Sequence, residues 1–172
     1  MTRRLAWLAA AAAAGWLAAA PGPSRAAEPV ALPVTIAGMT YVASRGETAE
    51  VQVEAQRARF DPAANRAELE DVHARVAGRD DAAGFAMSCD RGELRLASND
   101  FLASGNVRGT MGEGRRFSTD WVRYDAKRGL AYTEAPVEIA DDSGTYRGVG
   151  FRYLVREKRF RLLGGASVVQ KP

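Results

Sequence analysis

From Met39 onward apolar and polar side chains alternate in runs of four to eight residues, and Gly, Asn, Asp and Pro punctuate the runs. A period of two with frequent turn residues predicts strands joined by tight turns. Val51, Val53 and Ala55 point one way, while Gln52, Glu54 and Gln56 point the other. The best helical candidate is Ala63 to Val76, rich in Glu and Ala. There, however, Asp61-Pro62 and Asn65-Arg66 read as a turn, and Ala67 and Leu69, then Val72, Ala74 and Val76, alternate. The pattern predicts a hairpin.

The alternation slips by one at regular places. Phe85, Met87 and Cys89 fall on odd positions, whereas Gly92, Leu94 and Leu96 continue the apolar face on even ones. The same slip separates Val51, Val53 and Ala55 from Ala58 and Phe60, and Phe117 and Trp121 from Val122 and Tyr124. One extra residue keeps the same face inward, as a β-bulge or a strand bending between two sheets would supply. The expected fold is therefore all-β: an antiparallel bent jellyroll, or two-sheet sandwich of repeated hairpins, whose inner faces enclose an apolar slot.

An internal repeat sharpens that picture. Phe60, Leu94, Tyr124 and Tyr153 are spaced 34, 30 and 29 apart, and in each unit the turn falls five residues after the marker. Four units of about 30 residues result, each a strand, a turn and a strand.

The N-terminus has another character. Arg3 and Arg4 precede an apolar run from Leu5 to Ala20, broken by Pro21, Gly22 and Pro23, and Ser24-Arg25-Ala26 offers a cleavage site. That layout reads as an export signal at 1–26. The alternative is a retained anchor helix at 5–20, although a span of about 24 Å falls short of a hydrocarbon core of about 30 Å. Residues 27–37, with Pro29 and Pro33, read as an extended tether ahead of a domain at 38–170.

Charge then excludes one class of partner. The chain carries 24 Lys and Arg against 21 Asp and Glu, but Arg3, Arg4 and Arg25 leave with the leader and the remainder is balanced. A nucleic-acid binder needs a surplus of positive charge to displace counterions. None remains.

Candidate chemistry is equally thin. The only histidine, His73, sits among inward Val72 and Ala74 and is expected to face solvent, and the only cysteine, Cys89, to be a small buried hydrophobe. One His and one Cys far apart cannot assemble an ordinary zinc site, and no nucleophile stands on a Gly-x-Ser-x-Gly turn. Asp80-Asp81 and Asp141-Asp142 read as solvated turns, and Gly112-Glu113-Gly114 as a hairpin. Gly148-Val149-Gly150 lacks the third glycine and the helix of a dinucleotide site. No catalytic residue, metal or cofactor is expected.

The repeated unit, a small residue, an apolar or aromatic one, Asp, a turn, two alternating apolar positions and a closing Val, resembles the OstA-like repeat of lipopolysaccharide-transport proteins. Arg57 to Val72, Asp90 to Val107, Thr119 to Val137 and Tyr146 to Leu163 are similar to the LptC family in particular. Gly105-Asn106-Val107, Thr133-Glu134-Ala135-Pro136-Val137 and Arg159-Phe160-Arg161-Leu162-Leu163-Gly164 resemble its hairpin ends. The likeness covers about 38 to 170. It implies a periplasmic jellyroll, tethered to the inner membrane or free, that takes lipopolysaccharide acyl chains into a hydrophobic groove. It also implies edge-to-edge stacking with neighbouring jellyrolls beside an ATP-driven ABC transporter. The short, alanine-rich N-terminal run departs from a family tether and admits a soluble bridge of the LptA type. A structural envelope sandwich that binds protein edges and no lipid is the third reading.

On this reading Phe60, Phe85, Leu94, Phe101, Trp121, Tyr124, Tyr132, Phe151, Tyr153 and Phe160 are the inward candidates for the groove. The first and last strands leave unpaired edges that invite a partner strand. Met39, Tyr41 and Ala43, and Ala166, Val168 and Gln170, are the expected docking positions.

Overall fold

A computed structural model describes residues 32–45, 48–78, 83–112, 114–165 and 167–170. The apolar run at 5–20 and the cleavage site lie outside them. Ten strands follow in chain order: β1 (Val34–Arg45), β2 (Thr48–Asp61), β3 (Arg66–Ala77), β4 (Ala83–Arg95), β5 (Asp100–Met111), β6 (Arg115–Asp125), β7 (Leu130–Asp141), β8 (Gly144–Leu154), β9 (Arg159–Leu162) and β10 (Ser167–Gln170). The stretch 63–76 is turn and strand, as the alternation predicts. β1 opens at Val34, so the end of the expected tether is already strand. Pro33 stands just outside it, where its missing N–H interrupts no ladder.

The strands form one continuous antiparallel sheet in sequence order from β1 to β8. β9 and β10 both pair with β8, at opposite ends of it. The two layers of the expected bent sandwich are thus halves of a single sheet folded over on itself.

The fold line is where the alternation slips. Register shifts fall at Ser88/Arg91, Ser104/Val107, Thr119/Arg123 and Thr133/Pro136 on successive strand pairs. Positive φ angles mark the same line at Gly38 (70°), Asp71 (51°), Gly105 (77°), Asn106 (48°) and Gly150 (84°). At Gly150 a side chain is doubly excluded, because a Cβ there would also lie 2.7 Å from the carbonyl oxygen of Thr133. On β2, β3, β4 and β6 the break places two consecutive residues outward, at Gln56-Arg57, Glu70-Asp71, Asp90-Arg91 and Asp120-Trp121, so the buried series resumes on the other parity.

Two wings result. One carries the repeat turns at 62–65, 96–99, 126–129 and 155–158. The position five residues after each marker is the left-handed residue of its turn: Asn65 (49°), Asn99 (60°), Gly129 (63°) and Lys158 (53°). Asn and Gly tolerate that conformation, and Lys158 is the exception. Asp61 Oδ1 accepts the N–H groups of Ala63 and Ala64, and Asp125 Oδ1 that of Arg128, which gives the repeated Asp a turn-capping role. The other wing carries the hairpins near Gly112 and Ser143. The wings meet face to face: Phe85 of the hairpin wing lies 6.1 Å from Tyr153 of the turn wing, and Phe117 lies 5.5 Å from Phe151, between ring centroids.

Candidate functional site

The inner face is apolar apart from Thr119 and Thr133. Of the predicted inward residues, Phe85, Leu94, Phe101, Tyr124, Phe151 and Tyr153 are fully buried between the wings, and Phe60 and Phe160 are half-buried near the terminal strands. The rings interlock: Phe85 stacks on Phe117 at 5.2 Å, Phe117 meets Phe151 edge-on, and Phe151 lies 6.0 Å from Phe160. This chain of rings passes from one wing to the other and holds the fold closed.

Trp121 and Tyr132 are not inward. The break after Thr119 turns both Asp120 and Trp121 out and gives the inner position to Val122, which is fully buried. On β7 the inner positions are Ala131 and Thr133, so Tyr132 between them faces out. Thr133 is a polar residue in the core whose hydroxyl accepts the N–H of Ala135 within its own bulge, at 3.1 Å. Trp121 and Tyr132 pack edge to face on the outer surface, 6.1 Å apart.

Among the described residues side chains fill the middle of the interior, where the sequence predicts an open slot. Concavities of several hundred Å³ lie on the outer face: one of about 550 Å³ is lined by Arg57, Arg59, Glu68, Glu70, Arg91 and Glu93 among others, and one of about 460 Å³ by Glu54, His73 and Arg75. Those are charged saddles of a twisted sheet. Among the described residues the inner side chains of the middle strands are buried against one another, with rows from the two wings in contact.

Apolar surface reappears at the two ends. Val34 and Ile36 stand opposite Phe60 and Ala58 and continue the inner face, yet they are 50% and 40% exposed. Met39, Tyr41 and Ala43 lie opposite Ala55, Val53 and Val51 and are half-buried against the core. Of the other large exposed hydrophobics among the described residues, Leu32, Val42 and Val169 belong to the terminal strands or their flanks, and Val149 lies on β8 between its pairings with β9 and β10. At the far end Phe160 and Leu162 are half-buried on the inner side of β9. Among the described residues no strand pairs with the outer edge of β1, nor with that of β9 and β10. Val168 pairs with Tyr146 and Gln170 with Gly144 in the backbone ladder, while Ala166 lies outside the described residues.

Two polar contacts join the wings at their free margins. Tyr41 donates its hydroxyl proton to Asn99 Oδ1 at 2.5 Å, and Arg156 pairs with Glu50 while also donating to the carbonyl of Ala126. Tyr41 and Glu50 come from the hairpin wing, and Asn99 and Arg156 from turns of the other.

Val34, Ile36, Leu162 and the clasp residues Glu50 and Arg156 are what sequence reasoning missed. Val34 and Ile36 did carry a signal, an alternation across Thr35, but Pro29 and Pro33 drew that stretch into the tether. His73 is exposed, as expected. Cys89 is buried beside the fold line with its Sγ 3.1 Å from the carbonyl of Arg91, and burial pushes the thiol up to about 11. Among the described residues no cluster of His, Cys, Asp or Glu could hold a metal.

Comparison with known proteins agrees with this geometry. No curated protein matches the chain. Among solved structures it is similar to LptH, the LptA homologous periplasmic component of the lipopolysaccharide transport device from Pseudomonas aeruginosa. The TM-score is 0.56 at 11% identity, over 71% of this chain and 95% of that one, a likeness of fold. The family model for lipopolysaccharide assembly, LptC-related, matches residues 34–169, from the first residue of β1 almost to the last of β10. That family works in transport and not as an enzyme. The chain belongs to the LptC family of lipopolysaccharide-assembly proteins.

Proposed function

We propose that the protein is a periplasmic component of lipopolysaccharide transport that holds acyl chains against the inner face of its folded sheet and passes them to a neighbouring jellyroll. The observation that carries this reading is the inner face itself. It runs apolar through the core and emerges half-exposed at Val34, Ile36, Tyr41 and Phe60 at one end, and at Phe160 and Leu162 at the other. Exposed apolar surface of this kind is unfavourable in water and marks a site for an apolar partner. Tails would enter at the β1 end and advance by parting the wings. Parting needs the two marginal clasps to open while the bend at the fold line stays.

The unpaired edges of β1 and of β9 and β10 suit strand addition, so that successive jellyrolls would share one continuous trough. A passive trough cannot bias its own equilibrium, and direction would come from an ATP-driven transporter at the inner membrane. Whether residues 5–20 tether the domain there is a separate question, answered by the mass of the mature protein.

Photocrosslinking tests the acyl site. A benzophenone side chain at Ile36 or Phe60 is expected to label with lipopolysaccharide, and one at the outward Gln52 is not. Equal labelling from Gln52, or none from Ile36 and Phe60, would overturn the reading in favour of a structural sandwich.

A further inference from the structure

The outer face at the β9 end holds an arrangement that packing does not account for. Arg123 on β6 stands opposite Tyr132 on β7, Tyr132 opposite Arg152 on β8, and Arg152 opposite Arg161 on β9. Residues directly opposite have Cβ atoms about 5 Å apart, and like charges so placed are destabilising. All three arginines are exposed, and none makes an ion pair among the described residues.

The nearby carboxylates are engaged elsewhere or stand aside. Glu93, beyond Leu102 in the same row, is taken by Arg66 and Arg95. Asp125, further along β6, pairs with Arg128, and Glu157 in the next turn pairs with Arg159. Glu134 on β7 and Asp120 beside Trp121 on β6, both at the fold line, pair with none of the three among the described residues. The row therefore presents uncompensated positive charge across four neighbouring strands, a length of roughly 14 Å at about 4.8 Å per step. Beside it, Trp121 and Tyr132 form the edge-to-face pair, which leaves ring surface uncovered.

We propose that Arg123, Arg152 and Arg161, together with Trp121 and Tyr132, bind the phosphorylated sugar headgroup of the amphiphile whose tails lie on the inner side of the same rim. This rests on the acyl-binding reading above. Guanidinium groups bind phosphate oxygens in forked pairs, and flat aromatic rings stack on the apolar faces of sugars. β9 is the decisive element, because along its four residues Phe160 and Leu162 face inward while Arg159 and Arg161 face outward. An amphiphile bent over that rim satisfies both faces at once. A flat bilayer surface would need the apolar and cationic residues on one side, and here they are on opposite sides.

The test compares three probes on the full-length protein: purified lipopolysaccharide, the same material after removal of its phosphates, and phosphatidylglycerol vesicles. Wild type is expected to prefer the phosphorylated form by about ten-fold or more. The triple variant Arg123→Gln, Arg152→Gln, Arg161→Gln should lose that preference and keep its affinity for the dephosphorylated form. The corresponding Arg→Lys variant, which keeps the charge but not the forked geometry, should recover part of the preference. A triple variant that keeps the full preference, or that weakens equally toward both forms, overturns the headgroup surface. So does wild-type binding to phosphatidylglycerol vesicles that the variant loses in parallel, which would make the row a membrane contact. Binding of neither form by wild type would sink the acyl-binding reading and this inference together, whereas failure of the preference alone leaves the acyl site standing.

Discussion

The middle strands and the terminal strands follow the same alternation, and one strand step separates full burial from exposure. Ala58 on β2 is buried at 2%, while its partner Ile36 on β1 is 40% exposed. Tyr153 on β8 is buried, while its partner Phe160 on β9 is half-buried. The pairs differ little in chemistry. What differs is the presence of a facing wing, because the fold covers the middle strands with another layer and leaves the ends uncovered. The middle therefore carries the stability, and the ends are where the proposed acyl contact lies. Each of the following changes tests that division.

The largest effect is expected in the middle. Phe85 touches Phe117 in its own wing and Tyr153 in the opposite one, so Phe85→Ala leaves a cavity between wings and should remove about 3–5 kcal/mol. Urea unfolding would measure it. Ile36→Ala, a deletion of similar kind at the uncovered end, should change stability by less than about 1 kcal/mol and instead weaken lipopolysaccharide retention. Equal losses at the two sites would show that the end strand is core after all.

The sequence makes this division only half legible. The turns could be read because a left-handed conformation selects few residue types, and Asn65, Asn99 and Gly129 stand at a fixed distance from their aromatic or leucine marker. The fold line could be read because a slip in parity has no other economical structural meaning. The orientation of Trp121 could not, since the bulge turns out two residues and the parity alone does not say which two. Tyr132 misleads for a different reason. Its inward neighbours are Ala131 and Thr133, chosen for small size where the wings approach, so hydrophobicity points to the wrong residue. Alternation also says nothing about whether an apolar face will find a second layer, and that left the closure of the interior and the exposure of Val34 and Ile36 to the structure.

The clasps at the wing margins come next in size. Arg156 and Glu50 are only partly exposed, so Arg156→Gln should lower stability by about 1 kcal/mol, within the range of a surface-to-intermediate ion pair. Its effect on exchange should be clearer than its effect on stability. With one clasp gone, the wings part more readily, and both loading and release of lipopolysaccharide should quicken with little change in affinity. Stopped-flow measurement of lipid transfer would register this. Unchanged rates would show that tails enter without separating the wings at this margin.

The smallest effect at neutral pH, and the one that looks inside the middle region, belongs to Cys89. Desolvation is the main reason its thiol is raised from 9.0 to about 11, with Asp90 adding to the shift and hydrogen bonds to the backbone at Ser104 and Arg91 opposing it. A thiol raised by about two pH units holds roughly one-hundredth of the thiolate of a free one at the same pH below 9. Alkylation of the folded protein at pH 8 should therefore be slow, and fast in urea. The linked stability runs the same way. The protonated thiol is favoured in the fold, so its contribution is complete below about pH 9 and is lost as pH rises toward 11, where the unfolded chain ionises first. Cys89 sits beside the fold line, so it also reports how far the wings separate under load. Tails that reach the fold line should admit water and reagent there and speed labelling in the presence of lipopolysaccharide. A labelling rate that stays at its unloaded value while lipopolysaccharide is bound would confine the tails to the uncovered ends and leave the aromatic middle as permanent core.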